Sequence, residues 1–209
     1  MARHPSEPLG PVVLEGPHVR LEPLGAHHLD RLTEAADHPA IWLWMAESLF
    51  GVRDLDPWYQ ALSRRSHTGS EYAFAVIDRR HDRIVGSTRY VDVRPGDLGA
   101  EIGGTWYTPD TWGTAINPEA KYLLLRHAFD TWGAMRMQFK TDHMNLHAQR
   151  AITKLGARYE GTLMNHRFRP DGTIRHSVLF AVTDQEWPLV RTGLESRLRS
   201  YEAGAPGGR

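Results

Sequence analysis

A strand ending at Tyr107, a turn Trp112-Gly113-Thr114-Ala115 and a helix opened by Asn117-Pro118-Glu119 form the recipe for an anion site. Amides in the first turn of a helix have no intrahelical acceptor, and the macrodipole adds partial positive charge there. Gly113 lets the backbone approach a phosphate closely, while Thr114 and Ala115 are small enough not to obstruct it. Asn117 reads as the N-cap, Pro118 as the first helical residue and Glu119 as a first-turn acid. The segment contains neither a Walker A sequence nor G-x-G-x-x-G, so nucleotide-hydrolase and dinucleotide readings lose their main support.

Other chemistry-bearing residues are sparser. His143 and His147 lie i, i+4, but no carboxylate stands at ligand spacing and there is no His-Glu-x-x-His, so no metal is expected despite 12 histidines. There is no cysteine, which excludes thiolate nucleophiles, disulfides and cysteine-ligated zinc. No Gly-x-Ser-x-Gly elbow is present. The aromatic stretch around Trp42, Trp44 and Met45 reads either as core packing or as the wall of an acceptor pocket.

The elements that must position these residues follow from periodicity and punctuation. His18 to Pro23 alternates as a strand, and Ala26 to Ala36 carries apolar residues at helical spacing. Asp56-Pro57, read as cap and first residue, opens a helix to about Thr68. Strands are expected over Tyr72–Ile77, Ile84–Val93 and Gly99–Tyr107, antiparallel because their linkers are too short for crossovers. The helix from Asn117 ends at Gly133, and Met135 to Thr141 alternates as a strand. Asn145 caps a further helix stopped by Gly156, strands around Tyr159–Phe168 and Ile174–Val182 flank the hairpin Pro170-Asp171-Gly172, and the capping box Thr183 to Glu186 leads into a C-terminal helix. The order β-α-α-β-β-β-α-β-α-β-β predicts an α+β fold, a mixed and mostly antiparallel sheet of about seven strands with helices on both faces.

Composition sets the frame. The chain has 209 residues, 41% hydrophobic and 24% charged, enough for one substantial core. Lysine plus arginine equals aspartate plus glutamate at 25 each, giving no argument for nucleic acid or an anionic membrane. No apolar run approaches the roughly 18–20 residues of a spanning helix. The expectation is a cytoplasmic protein: residues 1–17, rich in proline, as a flexible lead-in, 18–187 as one catalytic domain, and 188–209 as a C-terminal helix with a frayed tail.

Taken together the motifs resemble the GCN5-related N-acetyltransferase (GNAT) superfamily, in the branch of RimJ/RimL-type ribosomal-protein N-terminal acetyltransferases. The stretch Asp110 to Ala115 is similar to the cofactor signature Gln/Arg-x-x-Gly-x-Gly/Ala at its fourth and sixth positions and departs from it at the first. Glu101-Ile102-Gly103-Gly104-Thr105-Trp106-Tyr107 is similar to the branch's E-I-G-x-x-W strand. Asn117 to Lys121, Leu125 to Phe129, Lys140 to Asn145 and Lys154 to Gly161 are also typical, so the resemblance covers roughly residues 18–187.

The resemblance implies acetyl-CoA as co-substrate and direct attack of a primary amine on the thioester. It implies that the central strands splay, that the backbone of Trp106, Tyr107 and Thr108 lines the pantetheine arm, and that the amides of Trp112, Gly113, Thr114, Ala115, Ile116 and Asn117 hold the pyrophosphate. The pair Gly103-Gly104 fits a bulge. Glu101 takes the position of the acid that removes the amine proton through water and faces the acceptor, and Asn145 that of an asparagine contacting pantetheine. Relatives carry a serine where this chain has Ala148, and often Arg-Asp where it has Arg175-His176. Members of the branch are often homodimers. Two other readings remain open: a non-catalytic acyl-CoA-binding module on the same scaffold, favoured by Ala148, and an interaction protein that dimerises through its C-terminal strand and helix.

Overall fold

The structure, a computed structural model, describes residues 8–203. One sheet of eight strands runs in the order β1-β2-β3-β4-β5-β6-β8-β7. Its strands are β1 (Leu14–Glu15), β2 (Val19–Pro23), β3 (Tyr72–Asp78), β4 (Arg83–Arg94), β5 (Gly99–Tyr107), β6 (Arg136–Asp142), β7 (Arg158–Phe168) and β8 (Ile174–Thr183). All neighbours are antiparallel except β5 and β6, which α4 (Ile116–Arg126) connects as a crossover. The remaining helices are α1 (Leu29–Ala36), α2 (Pro39–Trp42), α3 (Asp56–His67), α5 (Leu146–Thr153) and α6 (Trp187–Ala203). No helix among the described residues is long and apolar enough to cross a membrane.

The two faces of the sheet carry different cores. On one, Phe74, Tyr90, Ile102, Met137 and Phe139 pack against Leu123, Leu124 and Ala128, and the Tyr90 hydroxyl donates to the Leu124 carbonyl (2.6 Å). On the other, Ile77, Ile84 and Trp106 pack against Leu32, Ala36 and Trp42 from α1 and α2 and against Leu55 at the start of α3. Alternation along β5 separates the two: Ile102 faces α4, whereas Glu101 and Trp106 face the α1–α3 side.

Several expectations change. The sheet has eight strands because Leu14–Glu15 pairs with β2, so residues 8–17 belong to the packed fold, with Leu9 and Leu14 buried; residues 1–7 and 204–209 lie outside the described residues. α4 starts at Ile116 with Ala115 at the cap position, two residues before the expected Asn117 cap. Thr114 Oγ1 accepts from the Ile116 amide (3.3 Å), and Pro118 still falls where a missing N–H costs nothing. Asp56 is likewise the first helical residue rather than the cap, its amide held by Asp54 Oδ1 (2.9 Å). At α6 Glu186 reaches back to the Thr183 amide (2.9 Å), but the threonine hydroxyl donates to the same carboxylate (2.8 Å), so only half of the capping box forms.

Candidate active site

The parallel seam between β5 and β6 is three residues long: Gly99 opposite Arg136, Ala100 opposite Met137 and Glu101 opposite Gln138. Beyond Glu101 the strands part, and β5 runs on to Tyr107 while β6 runs on to Asp142, held along its other edge by β8. The cause sits in β5. Between the pairs Ser87–Trp106 and Arg89–Gly103, Thr88 of β4 faces both Gly104 and Thr105, which makes a bulge. Gly104 has φ +53°, and a Cβ there would come within 2.1 Å of Arg89 Nε. Gly104, together with Thr105, thus makes the bulge that turns β5 away from β6.

At the mouth of this gap the chain turns from β5 into α4. Thr111 Oγ1 donates to the Thr108 carbonyl (2.7 Å), Thr114 Oγ1 to the Thr111 carbonyl (2.6 Å) and the Trp112 indole to the Tyr107 carbonyl (3.0 Å). These bonds hold the turn from inside, and Gly113 completes it at φ +79° with open space around its Cα. Among the described residues, the amides of Gly113, Ala115 and Asn117 have no acceptor within the chain. Three free donors at a helix start are what a pyrophosphate needs. The Trp112 and His147 rings lie 6.3 Å apart at this mouth. Asp110, at the signature's divergent first position, is paired with Arg83, and the nearby Thr108 hydroxyl and then Arg83 lower its pKa.

Glu101 lies at the point where the strands part, buried at 8% exposure. Its Oε2 accepts from Lys140 Nζ (2.7 Å) and Gln138 Nε2 (3.4 Å), while Oε1 lies against Gly103, within 2.9 Å of where a Cβ would stand. The partner is therefore a lysine on the facing strand. Asn145 caps α5 as expected, its Oδ1 accepting from the Ala148 amide (3.0 Å). Trp42 is buried on Trp106 (5.2 Å between rings) with its indole donating to the Ala36 carbonyl, whereas Trp44 is half-buried. The Tyr107 hydroxyl is buried without a hydrogen-bond partner among the described residues, and burial pushes its pKa up. His176 accepts from the Asn165 amide through Nδ1 (2.8 Å) and lies beside the His143 ring.

Three groups of residues around the gap were given no role from the sequence. Lys121, on the second turn of α4, donates from a fully buried Nζ to Thr88 Oγ1 (3.0 Å) and Thr105 Oγ1, the two threonines of the bulge. Burial lowers its pKa to about 7. The signal was its place one turn before Leu125, on the buried stripe of α4. Arg89 reaches Glu71 (2.8 Å) and Glu47 across Gly104. Finally, His166, Arg175 and Ser177 gather on the Glu101 side of the sheet, with the Ser177 hydroxyl between His166 Nδ1 (2.9 Å) and Arg175 Nε (3.1 Å).

A cluster of Glu22, His27 and His28, on the opposite edge of the sheet, brings three potential ligand atoms within 4.8 Å of one another. Its hydrogen bonds do not fit a metal. His28 Nδ1 accepts from the Gly25 amide (3.1 Å), so its proton sits on Nε2 and points at Glu22 (3.0 Å). A metal at Nε2 would move that proton to Nδ1, against the Gly25 N–H.

Comparison with known proteins agrees with this geometry. Residues 18–158 match the family described as acetyltransferase (GNAT) domain. No curated protein matches the chain. Among solved structures, a GCN5-related N-acetyltransferase from Brucella melitensis superposes with a TM-score of 0.87 at 27% identity, over 94% of this chain and 89% of that one. A protein from T. thermophilus, provisionally assigned as an acetyltransferase, is 34% identical, over 90% of this chain and 98% of that one, with a TM-score of 0.80. Mycobacterium smegmatis RimJ, solved in complex with CoA-disulfide, shares the fold at 21% identity and a TM-score of 0.79, over 93% of this chain and 97% of that one. The chain belongs to the GNAT acetyltransferase family.

Proposed function

We propose that this protein transfers the acetyl group of acetyl-CoA to a primary amine, a protein N-terminus or a small molecule, by direct attack in a ternary complex. The observation that carries the reading is the gap between β5 and β6 beside three free amides at the start of α4. The edges of β5 and β6 that part beyond Glu101 offer main-chain partners to a pantetheine arm, while Gly113, Ala115 and Asn117 face a pyrophosphate. Glu101, at the closed end of the gap, accepts the amine proton through water. An acceptor with a pKa of about 8–10 needs only modest help to lose it, so holding the amine in place matters as much as the base. Half-buried Trp44 is the candidate wall of the acceptor side, whereas Trp42 is part of the core.

Ala148 favours a second reading, a module that binds acyl-CoA without turnover, because no side-chain hydroxyl stands there to protonate the departing thiolate. One experiment separates the two. Purified protein is offered acetyl-CoA with a panel of amines, and released CoA is followed alongside binding measured by calorimetry. Amine-dependent release supports transfer, binding without release supports the module, and no binding of any CoA species overturns both.

Asn145 gives a narrower test. Asn145→Ala is expected to lose the α5 cap, costing about 1 kcal/mol, and also the side-chain amide that contacts the cofactor. Asn145→Asp keeps the cap acceptor and loses only the donor. Thermal melts should fall for the first variant alone, whereas acetyl-CoA affinity should fall for both. Affinity unchanged in Asn145→Asp removes the cofactor role.

A further inference from the structure

Charge on the acceptor side of the sheet does not balance. Lys140 is paired with Glu101 (2.7 Å), and Arg169 is paired with Asp142 through two nitrogens (2.7 and 3.0 Å). Those two pairs neutralise themselves. Arg175 is left with Ser177 Oγ (3.1 Å), a neutral partner, and no carboxylate reaches it among the described residues. It is half-buried, opposite Arg167 in the β7–β8 ladder, and near enough to Glu101 and Asp142 for both to act on it. His166, which shares Ser177 with it, has its pKa lowered by burial and by Arg167, Lys140 and Arg175, and adds no negative charge. A half-buried guanidinium without a counter-charge in contact is costly to fold around. A bound anion would lower that cost.

We propose that Arg175 is the anchor for a carboxylate on the acceptor, so that the substrate is a small amine that also bears a carboxylate, its amine directed at Glu101. This rests on the acetyl-transfer reading and names its substrate class. The guanidinium fork matches the planar oxygen pair of a carboxylate, with Ser177 fixing Nε and leaving the outer nitrogens for the ligand. Lys140 cannot take this part because Glu101 already holds it. Arg167, exposed at the facing ladder position, adds to the positive field that draws an anion to this side.

The test compares kcat/KM for CoA release across matched acceptors: α-amino acids, β-alanine and γ-aminobutyrate against their methyl esters, the corresponding aminoalkylphosphonates, and short C-terminally amidated peptides. The acids are expected to exceed the esters and the amidated peptides by about 10- to 100-fold, the size of a lost charge-assisted pair. Arg175→Gln should erase that preference chiefly through KM, with Arg175→Lys restoring part of it. Esters or peptides that react as well as the acids overturn the proposal, and so does a preference for phosphonates or an Arg175→Gln enzyme that still prefers acids. The wild-type comparison stands even where a variant does not fold. A protein that binds acetyl-CoA but acetylates none of the panel fails the transfer reading itself, a different result from transfer without acid preference.

Discussion

Glu101→Gln is expected to lower kcat by about 100-fold or more, within the range for loss of a general base, while leaving acetyl-CoA affinity unchanged. Gln keeps the shape and one oxygen but cannot take a proton. The structure supplies a complication and its control. Glu101 also neutralises Lys140 at 2.7 Å, so Glu101→Gln leaves a half-buried ammonium unpaired and could slow the enzyme for that reason alone. In the double variant Glu101→Gln, Lys140→Met no such charge remains. If Glu101 is the base, the double variant stays slow; if it only balances Lys140, turnover recovers. Turnover equal to wild type across pH 6–9 would falsify the role.

Lys121→Met is expected to stabilise the protein, by about 1–4 kcal/mol at pH 6. The lysine is buried between Thr88 and Thr105 without a carboxylate, and its pKa falls to about 7 from an ordinary 10.5. A drop of that size corresponds to an upper bound on the order of 5 kcal/mol. The sign follows from proton counting. Between about pH 7 and 10.5 the unfolded chain binds the proton that the folded chain has lost, so wild-type stability rises with pH across that window and is flat below it. Methionine removes the cost at every pH, and Thr88 and Thr105 still bond each other at 2.8 Å. The advantage of Lys121→Met in urea melts should therefore be largest at pH 6 and close towards pH 10. An advantage constant with pH would mean that the ammonium is solvated.

What could be read before the structure was local. Gly99–Tyr107 is the strand the alternation predicts, with its bulge at the second glycine of the pair, Gly104. The Asn145 cap and the Asp171-Gly172 hairpin also form where their residue types demand. Each depends on backbone preferences acting over a few residues. The partners of the candidate site are separated by much longer stretches of chain. Glu101 meets Lys140 from the next strand in sequence, past the whole of α4, and Arg175 meets His166 across a hairpin, so no periodicity pairs them. Lys121 was missed because a charged residue on a helix is ordinarily at the surface; only its alignment with Leu125 and Ala128 marks it as buried. Strand β1 was missed because two residues carry no measurable alternation.

The three-rung seam at Gly99–Glu101 divides the sheet into two leaves. One is the run of adjacent strands β1 to β5 and the other is β6-β8-β7, so cooperativity across the middle rests on those rungs and on α4 lying beneath both. A molecule lying along the exposed edges of β5 and β6 is, to the backbone, a missing strand. Its binding would join the leaves, adding RT ln(1 + [L]/Kd) to global stability, about 2.7 kcal/mol at a hundredfold excess over Kd. The amides from Ile102 to Tyr107 that face the gap would then exchange with solvent at a rate set by how much ligand is present, because a molecule seated there would be the clasp between the two halves of the protein.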